Sequence, residues 1–148
     1  MRSFEETCTI ALQAMEATLT AIVLAAFIES GRLLMARRAH HKKQFPGHYD
    51  LIGGHIDEGE TVEGALVREA EEEVGLSPTV FREVGKFCDY ETDATYHLYI
   101  VTEWSNEQPK LLGDEHTELA WVRLGEAASL HPLAHPNIIS AVEEAWST

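Results

Sequence analysis

The chain has 148 residues, with 25 Asp+Glu against 11 Lys+Arg and a formal charge of -14, which is the length of one domain. Its 45% hydrophobic content supplies a single core and excludes wholesale disorder. A chain this acidic lacks the basic footprint that a nucleic-acid polymer needs, whereas a divalent cation can reverse the local sign for a small phosphate ligand.

Residues 1–16, with Phe4, Ile10 and Leu12 as their few large apolar residues, are read as a helical extension ahead of a domain over 17–148. A homodimer contact is one role open to that extension. Arg2 is followed by Glu5 and Glu6 rather than by the apolar stretch of a secretory signal. The run 17–28 is broken by Thr18 and Thr20 and is shorter than the ~20 residues of a membrane span. Cys8 and Cys88 form no disulfide framework and read as reduced thiols. These features predict a soluble, cytoplasmic protein with no membrane partner.

Residues 19–28 are β-branched and apolar and read as a buried strand. A hairpin turn at Glu29-Ser30-Gly31-Arg32 leads to a second strand at 33–36. Residues 37–50 read as a loop, broken by Pro46 and Gly47 and carrying the chain's one basic cluster, Arg37, Arg38, Lys42 and Lys43. Gly53-Gly54 closes a short apolar stretch. A helix is predicted over 61–74, with Thr61 as N-cap and Gly75 as its stop. Strands follow near 79–90 and 95–104, with a short one at 119–122. A last amphipathic helix at 137–146 gathers Ile138, Ile139, Val142 and Trp146. Strands with segregated helices predict a layered α/β or α+β domain.

Chemistry concentrates between Asp57 and Glu73, where Arg68 is the single basic residue among eight acidic ones. Residues i, i+3 and i+4 share a helix face, so Glu69, Glu72 and Glu73 fall within an arc of about 100°. Leu66, Val67, Ala70 and Val74 occupy the adjacent arc, and Glu71 points elsewhere. Three carboxylates on one patch repel one another and raise at least one pKa. A hard divalent cation compensates, since Mg²⁺ takes carboxylates together with waters and phosphates. An acidic triplet alone is usually a solvated face. The surrounding spacing argues otherwise: Gly54, five residues, Glu60, seven residues, Arg68-Glu69, Ala70, any residue, Glu72-Glu73, any residue, Gly75, Leu76. At typical Gly usage and this chain's Glu content, that pattern arises by chance on the order of 1 in 10⁵.

This spacing resembles the box of the Nudix hydrolase superfamily, and the resemblance extends over roughly residues 19–146. Ala70 stands where a larger aliphatic residue is usual, which implies a small packing difference. The resemblance implies a Nudix-like α/β/α sandwich with a mixed β-sheet, the box forming a loop–helix–loop beside it. It also implies Mg²⁺- or Mn²⁺-assisted hydrolysis of a nucleoside diphosphate linked to another group. Glu69, Glu72 and Glu73 would then bind metal or polarise the attacking water. Glu60 and Arg68 would orient those carboxylates, and Gly53 would offer its backbone carbonyl to the ion. The chain is most similar to the MutT-type nucleoside triphosphate pyrophosphohydrolases. By that likeness Arg37 or Arg38 contacts substrate phosphates, and Glu115 completes the metal site. Ile52 replaces a usual proline. His55 stands where a phosphate-contacting lysine is common, and His135 falls near a base-reading asparagine.

The reaction so implied converts a nucleoside triphosphate to its monophosphate and pyrophosphate, with Glu69, Glu73 or Glu115 as general base. The same box would serve ADP-ribose or a nucleotide sugar. The run from Lys42 to Asp50 is also similar to isopentenyl diphosphate isomerases, but neither cysteine lies in the motif those enzymes use. A non-enzymatic nucleotide sensor would be expected to lose box carboxylates, and all are present here.

Overall fold

The computed structural model describes residues 18–105 and 108–147; the extension at 1–16 lies outside them. Strand β1 (Thr20–Glu29) turns into β2 (Arg32–Arg38) through Ser30 and Gly31. Both turn residues have positive φ, 51° and 72°, the pairing that suits the twist of a two-residue hairpin. Two short strands follow, β3 (Tyr49–Asp50) and β4 (Ile52–His55), and then helix α1 (Val62–Val74). Strands β5 (Pro78–Asp89), β6 (Ala94–Trp104) and β7 (His116–Arg123) precede a single-turn helix α2 (Leu124–Ala127) and the closing helix α3 (Pro136–Ser147).

Among the described residues the strands form one mixed seven-stranded sheet in the order β3-β2-β1-β6-β5, with β4 on β1 and β7 on β2. β1 runs parallel to β6, Leu24 facing Leu98, and antiparallel to β4, Leu24 facing Gly53. Two parts of the expected 37–50 loop are strand instead. β2 continues through Arg38, and Tyr49–Asp50 pairs with Arg37 and Ala36. Gly53-Gly54 likewise lies inside a strand. A Cβ at Gly53 would run into the Val23 carbonyl, so glycine here serves close backbone approach rather than a break.

The sheet is buried on both faces, as its central parallel pair requires. Alternate residues of β1 point to opposite sides. Leu24, Ala26 and Ile28 pack with Leu98, Ile100 and the α3 residues Ile138, Ile139 and Val142. Val23, Ala25 and Phe27 pack with Tyr99, Val101 and the α1 residues Ala65, Leu66, Ala70 and Val74. The result is the expected α/β/α layering, with α1 on one face and α3 on the other. No helix among the described residues is long and apolar enough to cross a membrane.

Candidate active site

The local sequence ends α1 at both sides. Thr61 Oγ1 accepts from the Gly64 N–H at 3.0 Å, and Gly75, at φ 71°, donates its N–H to the Glu71 carbonyl. A capping side chain of this kind contributes about 1 kcal/mol. Between those ends the apolar face sits directly on the sheet, where Ala65 and Ala70 are fully buried. Small residues let the helix lie close, and closeness draws the neighbouring acids to different depths. Glu73 is 6% exposed, whereas the side chains of Glu69 and Glu72 are 13% and 59% exposed. The three glutamates therefore do not form one patch. Glu69 and Glu73 line a cleft of about 500 Å³, and Glu72 is not among its lining residues.

Arg68 organises the outer part of the box. Its Nε and Nη2 donate to the two carboxylate oxygens of Glu60 at 2.7 and 2.9 Å. Nη1 donates to Glu69 at 2.9 Å and Glu72 at 3.2 Å, and Nη2 also reaches the His55 carbonyl at 2.9 Å. Asp57 stands 3.5 Å away. This fork holds the Glu60 carboxyl down at about 2, helped by the Asp57 N–H.

Glu73 is held differently. Its Oε2 accepts from the Gly53 N–H at 3.2 Å, and the Glu115 carboxyl, in the same cleft lining, acts on it. Burial first, then the hydrogen bond to Glu115 and the charges of Glu69 and Glu115, push Glu73 up to about 10. Burial also raises Glu69, against the pull of Arg68. Burial tends to raise Glu115 too, but its hydrogen bond with Glu73 and the adjacent Lys42 outweigh it and leave Glu115 low. These opposite shifts make Glu73 the acid that holds a proton more readily and Glu115 the one that carries charge more readily.

Backbone contacts carry Glu115 to this position. The N–H groups of Lys110 and Leu112 donate to the Val74 and Glu73 carbonyls at the end of α1, and the Ala39 N–H donates to the Glu115 carbonyl at 2.8 Å. Lys42 Nζ reaches Glu115 Oε1 at 3.3 Å.

Arg38, His41, Lys42 and Lys43 also line the cleft, with Phe45, Tyr96 and His135. Arg38 Nη1 lies 3.6 Å from Asp50, and its Nε donates to the Gln44 carbonyl. His135 Nε2 lies 3.7 Å from the same Asp50 carboxylate. The His135 ring packs against Tyr96 and Phe45, with centroids 4.6 and 4.9 Å away. Asp50 is 5% exposed. Burial raises its pKa against the opposing charges of His135 and Arg38. Arg37 is directed elsewhere. It donates to the Gly47 carbonyl at 2.9 Å and lies over the Tyr49 ring, outside the lining residues. Gly53 and Gly54 line the cleft, as does His55, an exposed residue.

Sequence reasoning missed Asp50, Phe45, Tyr96 and the pairing role of Lys42. Asp50 did carry a signal, since it is a lone acid immediately before the apolar Leu51-Ile52. Tyr96 carried none, because an aromatic residue in a strand reads as core.

A NUDIX domain model matches residues 17–142. The chain belongs to the Nudix family. The nucleoside triphosphatase NudI of Salmonella arizonae is 32% identical over an alignment of 109 residues that covers 66% of this chain and 77% of that protein. The MutT Nudix hydrolase of Burkholderia pseudomallei superposes with a TM-score of 0.72 at 26% identity, covering 84% of this chain and 96% of that one. The Nudix domain of Shewanella oneidensis NrtR, solved with ADP ribose, shares the fold at 22% identity and a TM-score of 0.71, over 99% of both chains. The protein is thus a MutT-like Nudix hydrolase.

Nudix enzymes use divalent metal ions, and the donors here fit one. Glu73 and Glu115 form an acid pair that needs a proton or a cation to sit together. A Cβ at Gly54 would collide with the Glu69 carboxyl, so glycine leaves that group its space in the cleft. Among the described residues no three His, Cys, Asp or Glu side chains are gathered so as to hold an ion by themselves. Arg68 and Lys42 engage the carboxylates instead. An open set of hard oxygens suits an ion that completes its shell with water and phosphate.

Proposed function

We propose that this Nudix protein is a Mg²⁺- or Mn²⁺-dependent hydrolase that cuts a nucleoside triphosphate to the monophosphate and pyrophosphate. One observation carries the proposal: a single cleft is lined by box carboxylates, by basic side chains and by the rings of Phe45, Tyr96 and His135, the groups that an ion, a triphosphate tail and a base would need. The printed activity of NudI, a nucleoside triphosphatase, supports it. Glu69, Glu73 and Glu115 would hold the ion, with the Gly53 carbonyl as a further donor. A bound divalent ion supplies charge neutralisation at the anhydride oxygens and a more acidic water.

The chain's own residues do the rest. Arg68 keeps Glu69 aimed while itself locked to Glu60. Arg38 and the lysines balance the triphosphate charge, and His55 lines the same cleft. Phe45, Tyr96 and His135 offer ring faces and edges to a base. Most of the rate would come from such positioning and charge placement. Cys88 lies on β5, 3.8 Å from Thr95 Oγ1 and outside the cleft lining, so the described cysteine is not placed for the isomerase chemistry.

The test is a Mg²⁺-dependent screen over nucleoside triphosphates, ADP-ribose and nucleotide sugars, with products identified. Pyrophosphate and a nucleoside monophosphate are expected. Release of a sugar phosphate, with no pyrophosphate from any triphosphate, would overturn the assignment.

A further inference from the structure

We propose that Lys42 is a phosphate-binding residue gated by the metal. Its ammonium neutralises Glu115 in the ion-free enzyme and passes to the substrate's outer phosphates once a divalent ion takes that carboxylate. The inference rests on the hydrolase proposed above.

Three observations carry it. First, Lys42 Nζ sits 3.3 Å from Glu115 Oε1, and both residues line the cleft with Glu69 and Glu73. The ammonium therefore lies against one of the carboxylates assigned to the ion. Second, each nearby arginine already has acceptors within the protein. Arg68 is held by Glu60, Glu69 and Glu72, Arg37 by the Gly47 carbonyl and Arg38 by Asp50 and the Gln44 carbonyl. Third, the Lys42 backbone is tied in place. Its N–H donates to the Ala39 carbonyl at 3.2 Å, and the Ala39 N–H donates to the Glu115 carbonyl. When the side chain lets go of Glu115, its base stays at the cleft.

An ammonium and a divalent ion compete for the same carboxylate, and the ion brings twice the charge. The displaced ammonium is then a second positive charge beside the ion, and a polyphosphate is the partner that satisfies both. Lysine suits this exchange because its charge is compact and its stem flexible, so it binds phosphate as a point charge without fixed geometry.

Mn²⁺ binding without nucleotide, followed by the electron paramagnetic resonance of the free ion, tests the exchange. Lys42→Met is expected to bind Mn²⁺ roughly two- to fivefold more tightly, the size of an exposed ion pair removed from competition. The KM for the nucleoside triphosphate should rise about tenfold, the loss of one charged hydrogen bond. Lys42→Arg should recover most of that KM, and in a Glu115→Gln background Lys42→Met should leave Mn²⁺ affinity unchanged. Unchanged or weaker Mn²⁺ binding by a folded Lys42→Met protein, or an unchanged KM, would overturn the exchange while leaving the hydrolase standing. Absence of a saturable Mn²⁺ site in the wild type would overturn both.

Discussion

Replacing Glu73 by Gln should make the ion-free protein more stable and the enzyme nearly inactive. Glu73 is 6% exposed and is raised from 4.5 to about 10, so folding favours its protonated form. The sign follows from that direction. Stability is fully present below pH 4.5 and is lost progressively as pH rises towards 10. Each pH unit in that window withdraws about 1.4 kcal/mol, so at pH 7 the ion-free wild type has lost on the order of 3 kcal/mol. Glutamine avoids the loss. Its amide oxygen can accept from the Gly53 N–H, and its NH₂ can donate to Glu115, reproducing both contacts of the protonated acid. Thermal unfolding in chelator at pH 7 should then show Glu73→Gln melting roughly 5–10 °C above wild type, and the gap should close near pH 4. Saturating Mn²⁺ should reverse the order, because binding stabilises by mass action the form that keeps the carboxylate. Turnover should fall about 100-fold or more. A folded Glu73→Gln protein that melts below wild type in chelator, or turns over near normally in Mg²⁺, would refute this account of the acid pair.

Arg68→Lys should lower kcat by about 10- to 100-fold with little change in KM, because one ammonium cannot make the fork that joins Glu60, Glu69 and the His55 carbonyl; steady-state kinetics check the split. Glu60 is depressed to about 2, so its stabilisation is present above 4.5 and is lost as pH falls through the folded value. Urea midpoints of wild type and Glu60→Gln should therefore differ at pH 6 and converge near pH 2. The paired glycines should separate by role. Gly53→Ala should destabilise, since its Cβ meets the Val23 carbonyl, a backbone atom that cannot step aside. Gly54→Ala should stay folded and lose Mn²⁺ affinity, since its Cβ meets the movable Glu69 carboxyl; calorimetry of unfolding and of Mn²⁺ binding distinguishes the two.

Local signals were the readable ones. Thr61 and Gly75 bound α1 where cap chemistry predicts, Ser30-Gly31 makes the hairpin turn, and the alternation of Tyr96, Leu98 and Ile100 with Tyr99 and Val101 divides β6 between two cores. Long-range pairing was not readable. Nothing in the residues near 49–54 announces that Tyr49–Asp50 adds to β2, or that Gly53 and Gly54 lie in a strand on β1. Breaker residues in a short stretch outweigh a two-residue ladder in any local reading.

The box shows the same division. Its spacing is a property of the chain, and because a helix has a fixed pitch, the order of residues alone placed Glu69, Glu72 and Glu73 within one arc and Arg68 beside them. What spacing cannot supply is depth. Only the seating of Ala65 and Ala70 against the sheet buries Glu73 and leaves Glu72 in solvent. Only the folding of the 108–115 segment onto the end of α1 sets Glu115 against Glu73. A carboxylate's chemistry depends on what surrounds it in space, and for Glu73 those surroundings come from residues 20 positions before it and 42 after.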